Sequence, residues 1–300
     1  MSIIERAADR LGKKTVTERA PQTPASAHLD QANSSAKADE NMPGNENEPV
    51  NFHAVSAVQK QISINLDRLH QLGIVTPQHG KTQIAEQFRL IKRPLLINAF
   101  NQNTGIKNGN LIMVTSSLAG EGKSFCSINL AMSIAMERDH RVLLIDADVA
   151  RPSIPRILDF SPEKKGLLDI ILDDYLDVSD ILIKTSIEKL TIISAGTRHP
   201  HATELLASQN MRNILTELAQ RYRDRIVIFD SPPLLLTSEA RVLASQMGQI
   251  VLVVEAERTT QQTVKEALRQ IESCDVVNLI YNKARAFSGA GTGYYGYYYS

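Results

Sequence analysis

From Leu111 onward, short apolar runs alternate with stretches whose apolar residues recur every three or four positions. The runs LIMVTS (111–116), RVLLID (141–146), LTIISAG (190–196), RIVIFD (225–230), QIVLVVEA (249–256) and VVNLIYN (276–282) read as strands. Helical spacing fills 123–138, 203–222, 238–247 and 260–273. Strands that are apolar throughout, separated by helices, predict a mostly parallel sheet flanked by helices on both faces. Upstream, Ile62, Leu66, Leu69 and Leu72 fit one helical face that Gly73 and Pro77 end. A second helix is expected over 82–100. Residues 1–12 carry apolar positions at helical spacing, Ile3, Ile4, Ala7, Ala8 and Leu11. Residues 13–52 have almost no large apolar residues and read as a disordered linker. The predicted organisation is a short helix and linker over 1–52, an α/β domain over 53–288 and a tail over 289–300.

Composition narrows the classes. The 300 residues carry 33 basic and 33 acidic side chains, a formal net charge of +0, so there is no global pull towards nucleic acid or an anionic membrane. Only Cys126 and Cys274 are present, which argues for a reducing compartment over a disulfide scaffold. No apolar run approaches a membrane span of ~18–20 residues. Glu5, Arg6, Asp9 and Arg10 interrupt the place where a signal peptide needs an apolar core. A cytoplasmic chain is expected. Of 8 tyrosines, Tyr294, Tyr295, Tyr297, Tyr298 and Tyr299 crowd the end among glycines, which reads as a loose tail offering phenols.

The candidate chemistry sits at the ends of the strands. In SSLAGEGKSFCSINLA, glycines let backbone N–H groups close on phosphate oxygens, and the following helix adds its positive end. Lys123 can bridge the outer phosphates and the Ser124 hydroxyl can ligate magnesium. The strict G-x-x-x-x-G-K-[ST] pattern wants glycine where Ser117 stands. The segments LLIDADVARPS and VIFDSPP place Asp146, Asp148 and Asp230 at carboxyl ends of strands, where a parallel sheet opens on its ligand. Three such aspartates can gather around magnesium and a nucleotide.

Together these three segments resemble the bacterial tyrosine kinases, the P-loop autokinases of capsule and exopolysaccharide export. The resemblance covers roughly residues 82–300. INLDRLHQLGIVTP is similar to the subfamily that accompanies exosortase-linked polysaccharide loci. SSLAGEGKS resembles the Walker A segment, LLIDADVARPS the Walker A′ segment and VIFDSPP the Walker B segment. The implied fold is a P-loop NTPase of the deviant-Walker type. By resemblance, Ala119, Gly120, Glu121, Gly122, Lys123, Ser124 and Phe125 form the ATP cradle, and Asn282 stands where relatives read adenine. Ser124, Asp148 and Asp230 are implied to position Mg²⁺, and Asp146 to take the tyrosine proton. Glu86, Arg89 and Lys92, with Arg93 beside it, stand in for the E-x-x-R-x-x-R helix that packs subunits into a ring.

The implied activity is ATP-dependent phosphorylation in trans of Tyr294, Tyr295, Tyr297, Tyr298 and Tyr299. Repelling phosphates would then loosen the ring. The implied partners are other copies of the chain, the cytoplasmic segment of a transmembrane chain-length regulator and a cognate tyrosine phosphatase. The chain would then be peripheral to the inner membrane. The sequence departs from the family at Ala150, where arginine is frequent, and at His201 and Ala202, where Asn-Pro is usual. Two other classes stay open. A partitioning or positioning ATPase of the ParA/MinD kind would want a lysine where Leu118 stands and would lack the tyrosines. A nucleotide-binding regulatory module would not transfer phosphate.

Overall fold

In this computed structural model the structure describes residues 61–161, 165–221 and 224–284. The expectations for 1–12 and 13–52, the tail tyrosines Tyr294 to Tyr299, and Tyr222 lie outside the described residues. The strands are β1 (Gln61–Ile62), β2 (Leu111–Ser116), β3 (Arg141–Asp146), β4 (Ile183–Thr185), β5 (Leu190–Ile193), β6 (Arg225–Asp230), β7 (Gln249–Glu255) and β8 (Val277–Asn282). They form one sheet in the order β1-β4-β5-β3-β6-β2-β7-β8. Every pairing is parallel except β4 with β5. The carboxyl ends of β2, β3, β6, β7 and β8 therefore share one edge of the sheet.

Alternation along the central strands divides the core in two. Leu111, Met113, Leu143, Ile145, Val227 and Phe229 face one layer. It holds helices α5 (Leu167–Leu172), α6 (Ala202–Leu206), α7 (Gln209–Arg221), α8 (Ser238–Ala244) and α9 (Gln261–Arg269). Ile112, Val114, Val142, Leu144, Ile226 and Ile228 face the other. There lie α1 (Leu66–Gln71), α2 (Gln83–Phe100), α3 (Lys123–Ala135) and α4 (Ile154–Leu158). α3 runs against the sheet with every residue from Cys126 to Ala135 buried.

Several elements differ from the pattern reading. Ile62 is not on the α1 face but in β1, paired with Thr185. The helix at 203–222 is two helices, separated at Ala207 and Ser208. β1, β4, α4 and α5 are too short for their periodicity to register.

The larger correction is on α2. Its buried stripe is Ala85, Phe88, Lys92 and Leu95, spaced three, four and three. Lys92 therefore points inward, at 4% exposure. Its ammonium donates to Ser133 O (2.6 Å) and pairs with Glu137 (2.5 Å) on α3's side of the interface. Glu86 and Arg93 stay exposed, and Arg89 pairs with Glu86 and donates to Gly80 O (2.6 Å). The outward charged row is thus Glu86, Arg89 and Arg93. Lys92 fastens α2 to α3.

Lys92→Ala should destabilise the fold by about 2 kcal/mol, because Ser133 O and Glu137 lose their donor. A lowered urea midpoint at neutral pH would show it. The Lys92 hydrogen bond holds the Glu137 carboxyl below its usual 4.5. This contribution is complete above that value and is lost as pH falls through the folded one. The deficit of the variant should shrink in acid.

Candidate nucleotide site

The loop after β2 turns on two glycines with left-handed backbones, Gly120 at φ 88° and Gly122 at φ 100°. Other residues enter this region with difficulty. A methyl group at Gly122 would also run into Asn282 Nδ2. Gly122 starts α3 with no side chain capping the first turn, so the helix presents its N–H groups and positive end. Asn282 Nδ2 donates to Glu121 O (2.8 Å) and Lys283 Nζ to Gly120 O (2.7 Å). The end of β8 thus holds two successive loop carbonyls.

Asp146 and Asp230 stand opposite each other in the β3–β6 register. Both are fully buried, which costs charge. Burial, then the neighbouring Asp230, push the Asp146 carboxyl up to about 7. Burial likewise raises Asp230, against the pull of Lys123. Ser153 N–H (2.9 Å) and Ile154 N–H (3.0 Å) donate to Asp146 Oδ2. Its other oxygen, Oδ1, is buried with no hydrogen-bond partner. Such an atom normally has one.

Lys123 Nζ donates to Asp148 Oδ2 at 2.8 Å and lies 3.4 Å from Ser124 Oγ. Burial pulls its proton affinity down, but Asp230 and Asp148 more than offset this, and it ends above its ordinary value. Arg151 N–H donates to Asp148 Oδ1 (3.1 Å). The Asp146, Asp148 and Asp230 carboxyls, the Lys123 ammonium and the Ser124 hydroxyl therefore converge at the open end of α3. They fit a magnesium–nucleotide pair, and the partnerless Asp146 oxygen is where that fit is most demanding. Among the described residues no three acidic, imidazole or thiol side chains could hold a metal alone. A magnesium ion held by Ser124, Asp148 and Asp230 would need phosphate oxygens and water to complete its shell.

The structure brings Lys123, Ser124, Asp146, Asp148 and Asp230 together. Ala119, Gly120 and Gly122 shape the loop. The side chain of Glu121 is turned inward at 2% exposure. Phe125 packs against the α1–α4 core layer. Asn282 stands at the end of β8, with its amide nitrogen donating to the loop at Glu121 O. Ser127 and Ser153 escaped the sequence reading. Ser127 Oγ donates to Asp230 Oδ1 (3.0 Å), and Ser153 Oγ to Ser124 Oγ (2.8 Å). The available signal was position: Ser127 lies one helical turn beyond Lys123, and Ser153 closes the DADVARPS segment.

Comparisons with known proteins agree with this geometry. Residues 109–282 match the family described as an AAA domain. CapB of Staphylococcus aureus is 34% identical over 62% of this chain and 78% of its own length. The tyrosine-protein kinase CpsD of Streptococcus agalactiae is 32% identical, over 64% of this chain and 82% of its own. Among solved structures, the BceF tyrosine kinase domain aligns with a TM-score of 0.58 at 26% identity, covering 73% of this chain and 90% of that one. With its phosphate loop, its paired aspartate strand ends and these relatives, the chain belongs to the bacterial tyrosine kinase family.

Proposed function

We propose that the chain is an ATP:protein-tyrosine phosphotransferase that phosphorylates, in trans, the tyrosines Tyr294, Tyr295, Tyr297, Tyr298 and Tyr299 of another copy, and that this controls exopolysaccharide polymerisation or export. The observation that carries the reading is the Asp146 carboxylate, buried beside Lys123's carboxylate cluster with one oxygen uncommitted. An incoming phenol, with an ordinary pKa near ~10, needs a proton acceptor. Asp146 Oδ1 would accept that proton while Ser153 and Ile154 hold Oδ2 in place. When bound, magnesium and ATP supply the phosphoryl group and the charge that screens it. Lys123, released from Asp148, would neutralise phosphate oxygens, and the open turn of α3 would orient them.

The family and the outward row Glu86, Arg89 and Arg93 support assembly with other copies. No helix of the described residues is long and apolar enough to cross a membrane. A membrane address would then come from a separate partner, the cytoplasmic segment of a chain-length regulator, and reversal from a tyrosine phosphatase.

A mixing experiment tests transfer between copies. One chain carries Lys123→Ala with an intact tail; the other has an intact loop and phenylalanine at the five tail tyrosines. With Mg·ATP, phosphate should appear on the first chain and not on the second. Phosphate on neither, with the parent chain active alone, would exclude transfer between copies.

A further inference from the structure

The acidic residue inside the phosphate loop has a task that phosphate binding itself does not explain. Glu121 stands between the two left-handed glycines, in a loop built to attract anions, yet its carboxylate is buried. Both oxygens are in use. Oε2 accepts from Leu118 N–H, at the start of the same loop, at 2.6 Å. Oε1 accepts from the Thr259 hydroxyl and from Glu255 N–H at 3.4 Å. Glu255 ends β7 and Thr259 lies in the turn that leads to α9. The carbonyl of the same residue accepts from Asn282 at the end of β8.

We propose that Glu121 is a positioning residue, a strut that ties the phosphate loop to the turn after β7 and so holds the loop's N–H groups open for phosphate. The residue type follows from counting donors. Three donors converge on two oxygens, and a carboxyl group offers an acceptor at each where an amide offers one. A glutamine of the same size would turn an N–H₂ group towards either Leu118 N–H or Glu255 N–H and lose that bond. A loop fixed before its ligand arrives binds without the cost of ordering itself.

The inference rests on the nucleotide-site reading and not on the tyrosine reading, so its test uses binding. Mg·ADP affinity of the full chain is measured by calorimetry for the parent, Glu121→Gln, Thr259→Val, Thr259→Ser and the Glu121→Gln/Thr259→Val pair. Glu121→Gln should weaken ADP by roughly 10-fold or more, as expected for loss of charge-assisted hydrogen bonds. Thr259→Val should weaken it by about 3-fold or more, and Thr259→Ser should restore parent affinity. The double variant should lose less affinity than the product of the two single losses, because both changes act on one tie. Affinities within ~2-fold of the parent for both Glu121→Gln and Thr259→Val would overturn the proposal. So would a Thr259→Ser chain as impaired as Thr259→Val. The threonine pair decides the matter even if Glu121→Gln does not fold. A parent chain that binds ADP but never transfers phosphate would overturn the function proposed above and leave this inference standing.

Discussion

Lys123→Ala is expected to reduce phosphate incorporation by 10³-fold or more, below the detection of an intact-mass assay. The ammonium is the one cationic group that contacts both Asp148 (2.8 Å) and Ser124 (3.4 Å) among the described residues. Its charge also balances Asp146 and Asp230, which its removal leaves facing each other without compensation. Two effects then add. The outer phosphates lose their counter-charge, and the carboxylates hold protons more tightly. Asp148, whose side chain is 8% exposed, would be left as a buried charge without its pair. The variant should therefore also unfold about 2–3 kcal/mol more easily at neutral pH. Arginine should not rescue it, because a planar fork cannot replace a point charge in this narrow turn.

Asp146→Asn should move activity and stability in opposite directions. An amide cannot accept the phenol's proton, so turnover should fall by about 10²–10⁴-fold. The fold should gain where the parent is under strain. The Asp146 carboxyl is raised from 3.8 to about 7. Between those values the folded chain holds a proton that the unfolded chain releases. The stability that this proton confers is complete below pH 3.8 and falls as pH rises towards about 7. At ~1.4 kcal/mol per unit, the parent forfeits a few kcal/mol by pH 8. Asparagine carries no charge to bury and keeps an oxygen for Ser153 and Ile154. Its chain should melt higher than the parent at pH 8, and the difference should narrow towards pH 5. A pH-independent difference would mean that Asp146 is not the group under strain.

The sheet was legible because its central strands are apolar on both faces and end in charged or small residues. LIMVTS, RVLLID and RIVIFD coincide with β2, β3 and β6 to the residue. β1 and β4 escaped because two or three residues carry no period. The phosphate loop was legible because its chemistry is written in adjacent residues. Ser153 and Glu121 were harder: the first acts on Ser124, 29 positions away, and the second acts through a turn more than 130 positions away. Lys92 was misplaced for a definite reason. A motif read at three-residue spacing puts it outside with Glu86 and Arg89, but the helix's own apolar rhythm of three, four and three puts it inside. Charge type alone said nothing about which rhythm would win. The buried carbonyl of Ser133 and the carboxylate of Glu137 on the facing segment decided it.

The central claim is that this site transfers phosphate to the chain's own terminal tyrosines. The full chain, incubated with Mg·ATP and the cytoplasmic segment of a chain-length regulator, should gain mass in steps of one phosphate. Peptide mapping should place those phosphates among Tyr294 to Tyr299, and none should appear in Lys123→Ala. Steady ADP release by the parent with no phosphotyrosine anywhere on the chain would contradict the account.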